Sequence, residues 1–149
     1  MLTLRARPDR FAVGLPNDLR QEQTCSFTVM SLSAHQLDLI SNANEVIIET
    51  RAGDRRFRTI IWVVVDGTDV LVRSVRGTSG RWYQRALADP NVTLTVGDEQ
   101  LHFTATPVET AVIERTSEAL RLKYRPGRSL DSMLRPEVLD TTLLLEPRV

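Results

Sequence analysis

Residues 57–75 read Phe57-Arg58-Thr59-Ile60-Ile61-Trp62-Val63-Val64-Val65-Asp66-Gly67-Thr68-Asp69-Val70-Leu71-Val72-Arg73-Ser74-Val75. They hold two strands and the turn between them. Ile60 to Val65 do not alternate, and a strand apolar on both faces must be covered on both sides. In a small domain this places a barrel interior on one face and a helix or a second subunit on the other. Asp66-Gly67 is a hairpin signal, because glycine accepts the positive φ that tight hairpin turns require. Alternation returns in the partner strand. Val70, Val72 and Ser74 share one face, and Leu71, Arg73 and Val75 the other.

The flanking sequence extends this pattern. Ser33-Ala34-His35-Gln36 is a capping box, and Leu37, Ile40 and Ala43 give the helix behind it one apolar face. Residues 45–52 read as a strand rich in β-branched residues, closed by the Gly53-Asp54 turn. After the first hairpin comes a basic turn, then a helix over residues 80–88 that Asp89-Pro90-Asn91 stops. Residues 92–96 and 100–107 form a second hairpin about Gly97-Asp98. Residues 109–124 carry a helical stripe of Val112, Thr116, Ala119 and Lys123, flanked by Ile113 and Leu120, and Pro126-Gly127 ends it. A short helix near residues 130–134 leads past Pro136 to a last strand over residues 141–146. The expected class is α+β: about six strands, mostly in hairpins and hence antiparallel, in a small barrel with three to four flanking helices.

Residues 1–30 differ, with Pro8, Gly14, Pro16 and scattered charge but no sustained period. Two readings stand: a flexible extension, with Met30 as the true start, or an arm that packs on the domain or on a partner. The domain itself is expected over residues 31–149. A length of 149 residues fits one core. No apolar run approaches the ~20 residues of a membrane span. One cysteine, Cys25, excludes an internal disulfide framework and fits a reducing, cytoplasmic compartment. Cys25 and the distant His35 and His102 do not have the spacing of a zinc site. Neither a phosphate-binding P-loop, a dinucleotide fingerprint nor a nucleophile elbow occurs. A hydrolase is therefore disfavoured, and any chemistry is expected to come from a cofactor.

Residues 73–85 carry the functional signal. Arg73, Arg76, Arg81 and Arg85 accompany Ser74, Thr78 and Ser79, with no acidic residue from position 70 to 88. The chain has no net charge, so this is local placement. Arginine binds phosphate oxygens with forked, charge-assisted bonds, and Gly77 and Gly80 let backbone N–H groups approach an anion. All basic residues but Lys123 are arginine, so a solvated basic loop is the competing reading. Ser79 could instead cap the helix. Arg58 and Thr59, across the hairpin, would come near Ser74 and Arg76. Trp82 and Tyr83 lie about 100° apart on the helix, so one can enter the core while the other faces a pocket. Trp82 is a core anchor or a ligand platform. Tyr83 is a proton donor or a packed phenol. Net neutrality argues against nucleic acid as the partner.

The residues from Asp69 to Pro107, with Val-Arg-Ser at 72–74, Arg-Trp-Tyr at 81–83, Asp-Pro-Asn-Val at 89–92 and Ala-Thr-Pro at 105–107, resemble the FMN-binding split-barrel superfamily. The nearest resemblance is to a bacterial domain-of-unknown-function family. That family shares Arg58-Thr59-Ile60-Ile61-Trp62, Lys123-Tyr124 and the closing residues 142–147, so the likeness spans residues 33–147. Deazaflavin-dependent nitroreductases are more distant. They share the Trp82-Tyr83 and Pro90-Asn91-Val92 pattern, but carry a small residue where Arg81 stands and a basic N-terminal motif that is absent here. The resemblance implies a homodimeric split barrel that binds FMN or a deazaflavin coenzyme. It places Arg58, Thr59, Ser74, Arg76, Gly77, Ser79, Arg81 and Trp82 by the cofactor and Tyr83 by the substrate. The implied activity is reduction of a small organic molecule. The alternative is a non-catalytic module for a phosphorylated metabolite or nucleotide.

Overall fold

A computed structural model describes residues 31–148, so both readings of residues 1–30 lie outside the described residues. Ser31–Val149 forms one compact unit. Its strands are β1 (Val46–Ala52), β2 (Arg55–Ile61), β3 (Val63–Asp66), β4 (Asp69–Val72), β5 (Asn91–Val96), β6 (Glu99–Pro107) and β7 (Leu143–Pro147). The helices are α1 (Ala34–Asn42), α2 (Arg81–Ala88), α3 (Thr110–Lys123), α4 (Arg128–Met133) and α5 (Pro136–Leu139), with one 3-10 turn at Gly77–Ser79. Among the described residues, no helix is long and apolar enough to cross a membrane.

All strand pairs are antiparallel, in the order β2-β1-β5-β6-β7-β4-β3. The two edges of this sheet are consecutive in the chain. Ile61 lies opposite Val46 on one edge, and Val63, two residues on, lies opposite Val72 on the other. The sheet must therefore curl until its edges meet at Trp62, which makes a split barrel with flanking helices. The expected six strands become seven because the long strand over residues 57–66 breaks at Trp62 to serve both edges.

That break explains the missing alternation. Val63, Val70, Val72, Leu143 and Leu145 enter the barrel interior with Ile48, Leu94 and Phe103. Their neighbours Val64, Leu71 and Leu144 face a second cluster with Leu120, Tyr124, Leu130 and Met133 of the α3–α4 layer. So α3 and α4 cover the outside of β3, β4 and β7. Ile60, before the break, is left 64% exposed. The capping box of α1 forms as expected: Gln36 N–H donates to Ser33 Oγ at 3.1 Å, and Ser33 N–H to Gln36 Oε1 at 2.9 Å. Ser117, outside the expected apolar stripe of α3, is also buried, because a buried cation bonds it.

The end of α3 clasps the break. Tyr124 stacks flat on Trp62, with ring centroids 3.8 Å apart. Its hydroxyl donates to the Asn44 carbonyl at 2.6 Å and accepts from Val63 N–H at 3.3 Å. Burial raises the Tyr124 phenol from 10.0 to about 12, against the lowering effect of its backbone partner at Val63. The sign follows. Between those values the folded state keeps a proton that the unfolded chain has lost, so this stabilisation is complete below pH 10 and is lost as pH rises toward 12. Urea denaturation across that window should show stability falling with pH. Tyr124→Phe should be about 1 kcal/mol less stable at neutral pH, the worth of a typical hydrogen bond, and should lack Tyr124's share of the alkaline fall.

Candidate functional site

The first hairpin delivers Arg73 and Ser74 to the start of the basic turn, pointing to opposite faces. Arg73 is 2% exposed. Its Nε–H donates to Thr142 Oγ1 at 2.8 Å. Its Nη1 donates to Ser117 Oγ at 3.0 Å and to the Met133 carbonyl at 2.9 Å, and Nη2 to the Ile113 carbonyl at 3.0 Å. Every partner is neutral, and among the described residues no carboxylate pairs with this guanidinium. Burial, and secondarily Arg121, lowers its pKa to about 10, so it remains charged at neutral pH. Arg73 thus holds β4, α3, α4 and the approach to β7 together.

Ser74 organises the turn itself. Its N–H donates to Thr141 Oγ1 at 3.1 Å, and its hydroxyl to the Gly77 carbonyl at 2.8 Å. Gly77 has φ +65°, and a Cβ there would sit 3.1 Å from the Glu137 carbonyl oxygen. Ser79 Oγ donates to the Arg76 carbonyl at 2.8 Å rather than capping the helix. Gly80 takes the N-cap of α2, with no side-chain cap bond. The first-turn N–H groups of α2 are therefore not satisfied by a capping side chain, and the positive end of the helix dipole is uncovered.

This helix start opens into a cavity of about 490 Å³. One wall is Thr59, Ile60, Ile61 and Trp62, at the break in the closing strand. The turn and α2 contribute Arg73, Ser74, Val75, Arg76, Gly80, Arg81, Trp82 and Arg85, while Ser129 and Met133 come from α4. Glu45 is the single carboxylate of the lining, against four arginines. Arg85 is already engaged: its Nε–H donates to Thr50 Oγ1 at 2.9 Å, and it stacks 4.0 Å over Phe57. Burial, then repulsion from Arg81, lowers its pKa. Among the described residues, no hydrogen bond or ion pair engages the side chain of Arg81. Among the same residues, none engages the Arg76 guanidinium either; its backbone carbonyl accepts from Ser79 Oγ. The cavity has positive charge to offer an anion, and apolar surface beside it.

Of the nine residues that the resemblance placed by cofactor or substrate, Thr59, Ser74, Arg76, Arg81 and Trp82 line this cavity. The other four do not. Arg58 is exposed, opposite Glu49 on β1. Gly77 is buried under Glu137. Ser79 spends its hydroxyl on Arg76. Tyr83 is 7% exposed within the barrel cluster, edge-on to Trp82 at 6.4 Å. Trp82 is both things expected of it, a core residue and part of the lining. Ser129 and Met133 have no local signal, because they reach the cavity only through the packing of α4.

The family described as "Uncharacterized protein conserved in bacteria (DUF2255)" matches residues 36–145. No curated protein matches the chain. Solved structures do. A conserved hypothetical protein from Mycobacterium tuberculosis superposes with TM-score 0.62 at 16% identity, over 81% of this chain and 83% of its own. A structure described as an F420-H2 dependent reductase gives 0.55 at 18% identity, over 69% and 94%. The FAD binding protein from Mycobacterium smegmatis gives 0.53 at 19% identity, over 80% and 93%. At these identities the likeness is one of fold.

Two substitutions test the construction of the site. Arg73→Met should lower stability by on the order of 3 kcal/mol in urea denaturation, because buried acceptors lose their donor. A Cβ at Gly80 would collide with Ser74 Oγ, so Gly80→Ala should cost about 1–3 kcal/mol, typical of overpacking. The double variant Ser74→Ala, Gly80→Ala should cost less than the sum of the two singles, since removing Ser74 Oγ makes room for the new methyl.

Proposed function

This chain belongs to the DUF2255 family of proteins conserved in bacteria, and we propose that its cavity binds a flavin or deazaflavin coenzyme used to reduce a small organic substrate. One observation carries the reading. The uncapped start of α2 and the guanidinium groups of Arg76 and Arg81 meet the apolar surface of Ile60, Ile61, Trp62 and Trp82 in a single cavity. That pairing suits a ligand with a phosphate and a flat ring system. A volume of about 490 Å³ is within the usual range for small-molecule sites. The likeness of fold to a reductase and to an FAD-binding protein supports the same class of ligand.

Arg76 and Arg81 would hold the phosphate, joined by the hydroxyl of Thr59 and the N–H groups that open α2. Ser74 would act through the turn, since its hydroxyl is committed to Gly77. Trp82 and the wall of residues 59–62 would exclude water from the ring. The coenzyme, FMN or a deazaflavin, supplies hydride transfer when bound. The reading also pairs two copies. Ile60 and Val75, exposed to 64% and 45% and both in the lining, are apolar surface that a second subunit would cover.

A second reading is a module that binds a phosphorylated metabolite or nucleotide without turnover. It is favoured by the placement of Tyr83 in the core, which takes the phenol out of the lining, where Glu45 is the one acidic side chain.

Fluorescence and absorbance titration of the full chain with FMN, FAD and a deazaflavin coenzyme tests the proposal. Micromolar binding of one of them is expected. Arg81→Ala should weaken it about tenfold, the worth of one charge-assisted bond. Absence of binding by all three would sink the reading. Tyr83→Phe should leave turnover within about twofold; a large loss of turnover with intact binding would return the hydroxyl to the chemistry. Binding without hydride transfer to quinone, nitro or enone acceptors would select the second reading.

A further inference from the structure

The face of β1 and β2 that turns Ile48 into the barrel also carries Thr59, opposite Ile48. Phe57, opposite Thr50, and Arg55, opposite Ala52, follow on the same face. Thr59 lines the cavity, so Phe57 and Arg55 continue that wall toward the hairpin turn. Arg85 of α2, also in the lining, reaches this row. Its guanidinium lies 4.0 Å from the Phe57 ring centroid, and its Nε–H donates to Thr50 Oγ1 at 2.9 Å. The Arg55 guanidinium lies 5.3 Å from the same centroid. One ring thus carries two cations.

Among the described residues, no carboxylate pairs with Arg55, Arg81 or Arg85. Glu49 pairs with Arg56 at 3.8 Å on the other face of the hairpin. Asp89 accepts from the Asn91 N–H at 3.2 Å. Glu45, the one acidic residue of the lining, precedes Val46 at the opposite end of the hairpin. Arg81 and Arg85 stand at i and i+4 of one helix, where like charges repel. Arg81 also opens α2, whose first turn holds no acidic residue, and the positive end of a helix disfavours a cation there. A solvated arginine would swing away from such neighbours. Arg85 is held by Thr50 and Phe57 instead, so the row is set in place for an anion.

Given a first phosphate at Arg76 and Arg81, on which this placement rests, we infer that Arg85 and Arg55 form a second anion subsite, so that the cavity takes a ligand of the diphosphate class, as in a dinucleotide coenzyme, rather than a monophosphate. Side chains at i and i+4 start about 5–6 Å apart, and two arginines can close that gap over two linked phosphates. The second phosphate lies between Arg81 and Arg85, and Arg55 approaches it from across Phe57. It turns both repulsions into charge-assisted bonds.

Calorimetric titration of the full chain with inorganic phosphate, inorganic pyrophosphate, FMN and FAD, all at one ionic strength, tests this. Pyrophosphate should bind about tenfold tighter than phosphate, and FAD about tenfold tighter than FMN, the worth of one charge-assisted bond. Arg55→Gln and Arg85→Gln should each lower both preferences about fivefold. Arg51→Gln removes the same charge from the other face of the hairpin, and should leave both within about twofold. Absent preferences, or preferences that Arg51→Gln lowers as much as Arg55→Gln does, would overturn the inference. Equal micromolar binding of FMN and FAD would overturn it while keeping the flavin reading. A pyrophosphate preference with the expected variant pattern, and no flavin bound, would keep it and remove the flavin reading.

Discussion

The Arg73 guanidinium is buried among neutral acceptors, and the surroundings of the first cavity depend on it. Burying a charge without an opposite charge is costly unless its donors are satisfied. Here four bonds do so, from Thr142, Ser117, Met133 and Ile113. These partners lie on α3, on α4 and before β7. Satisfying one side chain thus fixes the places of the elements that wall the cavity. It also explains a serine in the buried face of α3, where an apolar residue would leave an N–H unpaired. The charge that remains adds to the positive field around Arg76, Arg81 and Arg85.

Barrel closure is the second constraint. A sheet whose edge strands are adjacent in sequence has one residue, Trp62, in which to pass from one edge to the other. That residue leaves both ladders, and its neighbour Val63 needs partners beyond the strand. Tyr124 and Lys123, consecutive at the end of α3, supply them. One piece of backbone therefore forms the barrel seam and a wall of the first cavity.

Much of this was legible in the residues. The capping box at Ser33, the Asp66-Gly67 hairpin, the hairpin about Gly97-Asp98 and the end of α3 at Pro126 are local events. They depend on φ preferences and hydrogen bonds within a few residues, so they can be read in place. The apolar run from Ile60 to Val65 demanded cover on both faces; Val63 and Val64 receive it, whereas Ile60 is left exposed. It could not show that the strand changes edges midway, because that depends on where β1 and β4 lie in space. In the same way, the pairing of Arg76 and Arg81 followed from their turn, whereas Ser129 and Met133 entered the lining only through helix packing.

Tyr83 and Lys123 mark the boundary. Helical spacing showed that Trp82 and Tyr83 face different ways, but not which of them meets the cavity. The folded chain sends Tyr83 into the barrel and gives Trp82 both surroundings. Lys123 reads as one more polar residue on a helical stripe. Its lowered pKa and its two carbonyl partners exist only because Ile40 and Val63, some 83 and 60 positions away, converge on it. Read alone, the residues specified an antiparallel barrel with an arginine-rich turn at a helix start, since pattern, turns and caps act locally. Which side chains became core and which became cavity was settled by long-range packing, because burial and partnership are properties of neighbours that the chain brings from far away.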